Sequence, residues 1–148
     1  LYAGLRSSQT PVDEALLRRF CTYLGEAYQV LDDLEDWEAD DGDRIALGQD
    51  VLAGRPTMLR ALAIEAGAWE QLAVAEELPD PPAVVAAVRA LYHETGAFDR
   101  ARELVDRLRG RCLVLAEEAT PEALGELLRF LVRIILRERR GGNRQGRL

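Results

Sequence analysis

The chain has 148 residues, 16.5 kDa, with 48% apolar and 30% charged side chains, which fits one folded domain and excludes a disordered chain. Its 19 basic residues are all Arg, set against 26 acids, for a net charge of −7. Residues 1–80 hold 17 acids and 6 Arg (−11), and residues 81–148 hold 9 acids and 13 Arg (+4). Between Asp32 and Asp43, 8 of 12 residues are acidic and none is basic. Such a surface repels nucleic acid and attracts a divalent cation.

The longest apolar run, Ala83–Val88, is 6 residues, far below the roughly 18 a transmembrane helix needs. The opening LYAGLRSSQT lacks the basic start and apolar stretch of a signal peptide. A cytoplasmic protein with no transmembrane segment is expected. The chain begins at Leu1, and a fragment of a longer protein is expected. Cys21 and Cys112 lie 91 positions apart with no ligand partner at metal spacing, so both read as buried thiols rather than zinc ligands or a disulfide. The single histidine, His93, has no nucleophile motif beside it.

In chain order, apolar residues recur at three and four positions and no strand-like alternation occurs, so the fold class is all-α. A first helix opens at Thr10-Pro11, with Thr10 capping and Asp13 completing a capping box, and runs to about Glu38. Asp40, Asp41, Gly42 and Asp43 break it, and a loop with Gly48, Asp50 and Gly54 follows. The next helix runs from near Pro56 to about Glu77. Pro79–Pro82 make a turn, a short helix covers about Ala83–His93, and Gly96 punctuates. A helix over about Ala97–Glu118 comes next, and Thr120-Pro121-Glu122 opens a last one ending near Arg140. About six helices should pack around the first as one domain over residues 1–140, with 141–148, GGNRQGRL, a disordered tail.

The first helix carries the chemistry. At roughly 100° per residue from Gln29, Asp36 falls near −20°, Asp33 near +40° and Asp32 near −60°, with Gly25 and Thr22 on the same stripe. Phe20, Tyr23, Leu24, Ala27, Leu31 and Leu34 form the opposite, core face. Solvated faces usually answer acids with bases one turn on, and here none does. Carboxylates so spaced raise one another's pKa unless a cation neutralises them, and Mg2+ suits an all-oxygen set completed by water and phosphate. Downstream, Gly48, Asp50, Gly54, Arg55 and Thr57 read G-x-D-x-x-x-G-R-x-T. Glycines permit a tight backbone path there, and Arg55 can face a phosphate.

AYQVLDDLEDWEADD followed by LGQDVLAGRPTMLRALAIEAG resembles the trans-isoprenyl diphosphate synthases, the polyprenyl synthetase family. Gln29, Asp32, Asp33 and Asp36 match its second Asp-rich motif, Q-x-x-D-D-x-x-D, and Gly48 to Thr57 match its G-x-D-x-x-x-G-K-x-T loop, with Arg55 in the Lys position. ETGAFDRAREL resembles a further family segment and FLVRIILRERR its last helix. The resemblance implies the carboxy-terminal half of a helical bundle of the isoprenoid synthase type. It implies a prenyltransferase of isoprenoid biosynthesis that condenses isopentenyl diphosphate with an allylic diphosphate by Mg2+-assisted ionisation. On that basis Asp32 is the principal metal ligand, and Asp33 and Asp36 hold metal-bound waters or neighbouring cations. Gln29, Arg55 and Arg44 serve the diphosphate, and Thr22 and Gly25 line the prenyl cavity. A homodimer is implied for the full-length protein.

Two departures stand out. Ala46 occupies a place where many members have Lys, with Arg44 the nearest cation. The family's first Asp-rich motif, its G-K-x-x-R-P segment and its Lys-Thr pair do not occur in the chain, so inactivity of this chain alone is expected, and product length is not legible. A class I terpene cyclase would carry an N-D-x-x-S-x-x-x-E motif, which is missing. A non-catalytic helical subunit related to prenyl synthases, or a plain acidic helical adaptor, are the other readings.

Overall fold

A computed structural model describes residues 12–37 and 48–137. The expected cap at Thr10, Arg44, Ala46 and the tail 141–148 lie outside the described residues. The described residues are all-α, with no strand among them. Their helices are α1 (Glu14–Glu35), α2 (Gln49–Leu52), α3 (Met58–Glu65), α4 (Trp69–Glu76), α5 (Pro81–Glu94), α6 (Ala97–Glu118) and α7 (Glu122–Ile135).

Several boundaries differ from expectation for local reasons. The Asp13 carboxylate accepts the amides of Ala15 (2.9 Å) and Leu16 (3.0 Å), so Asp13 itself caps α1 rather than completing a box begun by Thr10. The helix expected from Pro56 to Glu77 is two helices. Gly67, at φ 94°, sits between them in the left-handed region. Its amide bonds to the Ile64 carbonyl (2.9 Å) and the Ala68 amide to the Ala63 carbonyl (3.0 Å), the paired bonds of a Schellman ending. Helix α5 starts at Pro81, because Asp80 accepts the Ala83 amide (3.3 Å) and the proline needs no amide partner in the first turn. Helix α7 ends at Ile135, short of Arg140, and Arg109 Nη2 donates to the Leu136 carbonyl (2.8 Å) just beyond it.

The chain divides into two compact units, one with described residues 12–29 and 104–137, the other with 30–37 and 48–103. In the first, Leu16, Leu17, Phe20, Leu24 and Ala27 of α1 pack in one core with Leu108, Cys112 and Leu115 of α6 and Leu124, Leu128 and Val132 of α7. Tyr23 is partly buried against it. Spacings of three and four place each set on one helix face, and each large side chain so buried contributes about 1.5–3 kcal/mol. Gly125 permits the approach of α7 to α6, since a Cβ there would stand 2.5 Å from the Ala116 carbonyl oxygen. Cys112 is buried and its thiol is pushed up to about 11 by desolvation, whereas Cys21 is exposed, contrary to expectation. Cys21 follows the buried Phe20 by one residue, a turn of about 100° that carries it off the core face.

The second unit is built on rings. Trp37, Tyr92 and Phe98 meet edge to face in all three pairings, with centroids 5.4 to 6.2 Å apart. His93 is exposed and lies against Phe98 at 4.7 Å. Arg60 clamps Glu76 through two hydrogen bonds (2.8 and 3.1 Å), tying α3 to α4. Arg100 of α6 reaches the Leu62 carbonyl (3.1 Å) and the Glu65 carboxylate of α3.

Candidate functional site

The end of α1 and the loop after it meet within the second unit. Asp33 Oδ2 accepts the amide of Met58, 25 residues away, at 2.6 Å. Met58 opens α3, so the carboxylate satisfies one of that helix's unpaired amides. One turn later the Asp50 amide, in the short helix α2, lies near the Asp36 carboxylate and partly offsets the rise in its pKa. Asp33 of the Q-x-x-D-D-x-x-D stretch thus holds the helix start that ends the G-x-D-x-x-x-G-R-x-T loop, with Asp36 close to the Asp50 amide near its beginning.

The loop residues divide the remaining tasks. Gly48 precedes α2 at φ 69°, and a Cβ there would meet the Val85 side chain at 2.9 Å. Gly54 ends α2 at φ 66°, with its amide on the Val51 carbonyl (3.0 Å) and the Arg55 amide on the Asp50 carbonyl (2.8 Å). Thr57 caps α3 by accepting the Arg60 amide at 3.2 Å. Asp50 and Arg55 form an ion pair at 3.1 Å, with the Arg55 side chain 71% exposed.

The electrostatics are those of crowded acids. Burial raises the Asp33 carboxyl above its ordinary value; the Met58 amide opposes this, and Asp50 and Asp32 raise it further. Burial also raises Asp36, with Asp50 the next contributor and Asp33 and Asp32 behind it. Among the described residues, Asp36 Oδ2 is buried with no hydrogen-bond partner. Asp32 is exposed.

Among the described residues, no three carboxylate, imidazole or thiol groups converge to hold a metal ion by themselves. The unpartnered Asp36 oxygen and the raised Asp33 and Asp36 carboxyls nevertheless suit a cation. Such an ion would take one or two carboxylates from the chain and its other ligands from water and phosphate, the usual manner of Mg2+.

Of the other expected site residues, Gln29, Gly25 and Thr22 are exposed on α1 in the first unit. The Thr22 hydroxyl donates to the Arg18 carbonyl (3.0 Å), and a Cβ on Gly25 would meet open space. Arg44 lies outside the described residues.

Sequence reading missed Tyr92. It is fully buried, and desolvation pushes its phenol up to about 12. Its hydroxyl has no well-formed hydrogen bond, although the nearby Thr57 hydroxyl offsets part of the rise. Val84, Val88 and Tyr92 recur every fourth residue as the buried stripe of α5, which was the available signal. Also missed was a cavity of about 220 Å³ beside the loop, lined by Val51, Gly54, Arg55, Pro56, Arg60 and Glu76.

An all-α chain whose acid-rich helix end anchors a glycine loop is the class of site these residues define. Over 71 residues the chain is 37% identical to octaprenyl diphosphate synthase of Escherichia coli K12, and equally to that of Shigella flexneri. The matched stretch covers 47% of this chain and 22% of each relative, so the similarity concerns about a fifth of those enzymes. No protein-family model matches the chain, and no solved structure matches it.

Proposed function

We propose that this chain is part of a prenyl diphosphate synthase of isoprenoid biosynthesis, a transferase that joins isopentenyl diphosphate to an allylic diphosphate with the aid of Mg2+. The observation that carries the reading is the Asp33 bond to the Met58 amide just past the Gly48–Thr57 loop, with Asp50, the partner of Arg55, close enough to act on Asp33 and Asp36. The 71-residue similarity to octaprenyl diphosphate synthases supports it.

Ionisation of an allylic diphosphate separates a carbocation from a highly charged leaving group, and the barrier falls only if that charge is neutralised. Mg2+ bound at the aspartates would supply Lewis-acid neutralisation of the diphosphate. Asp32, exposed, is the principal ligand on this reading, with Asp36 offering its unpartnered oxygen and Asp33 orienting the loop. Arg55 exchanges its Asp50 partner for diphosphate oxygens, which a guanidinium binds as a fork. Gln29 supplies an amide one turn before Asp33. Thr22 and Gly25 keep the same helix face small where the prenyl chain would run. Arg44 is a second cation for the diphosphate. In the complete protein, a homodimer in the cytoplasm, the chemistry needs a facing acid-rich helix, so this chain alone does not catalyse transfer.

Calorimetric titration with Mg2+, with and without pyrophosphate, tests the site. Binding should tighten with pyrophosphate and be lost in Asp32→Ala, and equal heats in both proteins reject the assignment. Incubation with Mg2+, labelled isopentenyl diphosphate and an allylic diphosphate should give product only when an amino-terminal half carrying the other Asp-rich motif is added. Turnover by the chain alone refutes the division of labour.

A further inference from the structure

We propose that the groove between α4 and α5 docks an amphipathic helix of a partner protein, with the apolar side of that helix in the groove and its basic residues on the rim. Residues 77–80 join the two helices, so α5 folds back along α4 as an αα-hairpin. Their shared outer side holds a cavity of about 520 Å³. Val74 and Leu78 line it from the α4 side, 68% and 38% exposed, and Ala87, Ala90 and Leu91 line it from α5. An open apolar groove of this kind marks an interaction surface. The alanines keep its floor low, so a third helix can approach both axes closely. Two helices present no strand edge for an extended peptide to join, which leaves the helix-in-groove mode.

Charge identifies the occupant. Residues 69–94 hold 5 acids and 1 Arg, and one of the acids, Glu76, is taken by Arg60. The other four, Glu70, Glu77, Asp80 and Glu94, are exposed, and none forms an ion pair among the described residues. At roughly 100° per residue, Glu77 falls within about 20° of Glu70, so the two border Val74 along one side of α4. On α5, Ala90, Leu91 and Glu94 fall within about 60° of Ala87, whereas Arg89 falls near 200°, on the far side of the helix. The groove is therefore apolar in its floor and acidic along its rim, with its one nearby free cation turned away. A helix that carries Lys or Arg beside its apolar stripe complements both features. An anionic lipid surface would be repelled by the same carboxylates. A second copy docked through this groove would set Glu70 and Glu77 against their equivalents. This inference uses only α4, α5 and the turn between them, and it stands apart from the proposed function.

Fluorescence anisotropy tests it on the full chain with two labelled helical peptides of the same amphipathic pattern, one built of Leu and Lys and one of Leu and Glu. The Leu/Lys peptide is expected to bind and the Leu/Glu peptide is not. Val74→Ser/Ala90→Gln should abolish binding while circular dichroism stays unchanged, since both side chains are exposed. Glu70→Gln/Glu77→Gln should weaken binding about fivefold at low salt, from the worth of two exposed ion pairs. Glu117→Gln/Glu118→Gln makes the same change of charge at exposed positions of α6 and should leave binding unchanged. Failure of the Leu/Lys peptide to bind, equal binding of the Leu/Glu peptide, or binding unaltered by Val74→Ser/Ala90→Gln overturns the proposal. So does an equal loss in the α6 variant, or a concentration-dependent dimer that Val74→Ser/Ala90→Gln abolishes.

Discussion

Asp33 Oδ2 stands 2.6 Å from the amide of Met58, so one carboxylate near the end of α1 caps the start of α3 across 25 residues of chain. A short, charge-assisted bond of this kind fixes the loop between the two helices at its far end. Asp33 therefore does more than offer charge: it fixes one end of the backbone that carries Arg55.

Removing that acceptor should cost stability. Asp33→Ala leaves the Met58 amide without its partner and should destabilise by about 1–2 kcal/mol, the range for loss of a helix cap. Asp33→Asn keeps an acceptor and removes a carboxylate whose charged form the fold disfavours, so its unfolding midpoint in urea should stay near wild type. Pyrophosphate-dependent Mg2+ binding should still fall in Asp33→Asn if the carboxylate serves the cation.

Glycines at different sites should respond in opposite senses. Gly48→Ala places a side chain at φ 69° and sets its Cβ 2.9 Å from Val85, so a loss of about 1–2 kcal/mol or more is expected from the left-handed backbone alone. Val85→Ala in the same chain should recover only the steric part. Gly25→Ala, in an exposed helical position with open space, should stabilise by about 0.5–1 kcal/mol. Urea unfolding followed by circular dichroism measures both.

Thiol chemistry should separate the cysteines. Exposed Cys21 should react with an aromatic disulfide reagent at once, and buried Cys112 only at the rate of unfolding. Two equivalents of fast release would contradict the burial of Cys112.

Stability should fall at alkaline pH. Burial raises the Cys112 thiol from 9.0 to about 11 and the Tyr92 phenol from 10.0 to about 12. In both, the folded chain holds its proton to higher pH than the unfolded chain. Each contribution is fully present below the unfolded value and is lost as pH rises through the folded one, so urea midpoints should decline progressively between about pH 9 and pH 12. Cys112→Ala should remove the lower part of that decline.

The Arg60–Glu76 clamp should be sensitive to geometry as well as charge. Both side chains are about 30% exposed and joined by two hydrogen bonds, so Glu76→Gln should cost about 1–2 kcal/mol after allowance for solvent screening. Arg60→Lys retains charge but loses the fork and should recover little of the pair. Thermal melts compare the variants.

The sequence by itself determined which faces of the helices are apolar. Phe20, Leu24, Ala27, Leu31 and Leu34 are buried as their spacing requires, and helix α6 spans Ala97–Glu118 as read. It also marked the loop glycines, because a left-handed backbone restricts residue type locally and leaves its trace at Gly48 and Gly54. The break at Gly67 was equally local, yet a single glycine inside a run of good helix formers is weak punctuation, and the paired bonds of the Schellman ending decided it. Cys21 was misjudged from residue type where helix phase held the answer. Only the tertiary structure decided what Asp33 and Asp36 touch. Charge and spacing made them an acidic stripe, but the Met58 amide is 25 residues from Asp33, and no periodicity along the chain encodes which distant amide a carboxylate will meet. The same holds for the Trp37, Tyr92 and Phe98 rings, whose contacts arise when three separate stretches of chain are brought together to bury aromatic surface.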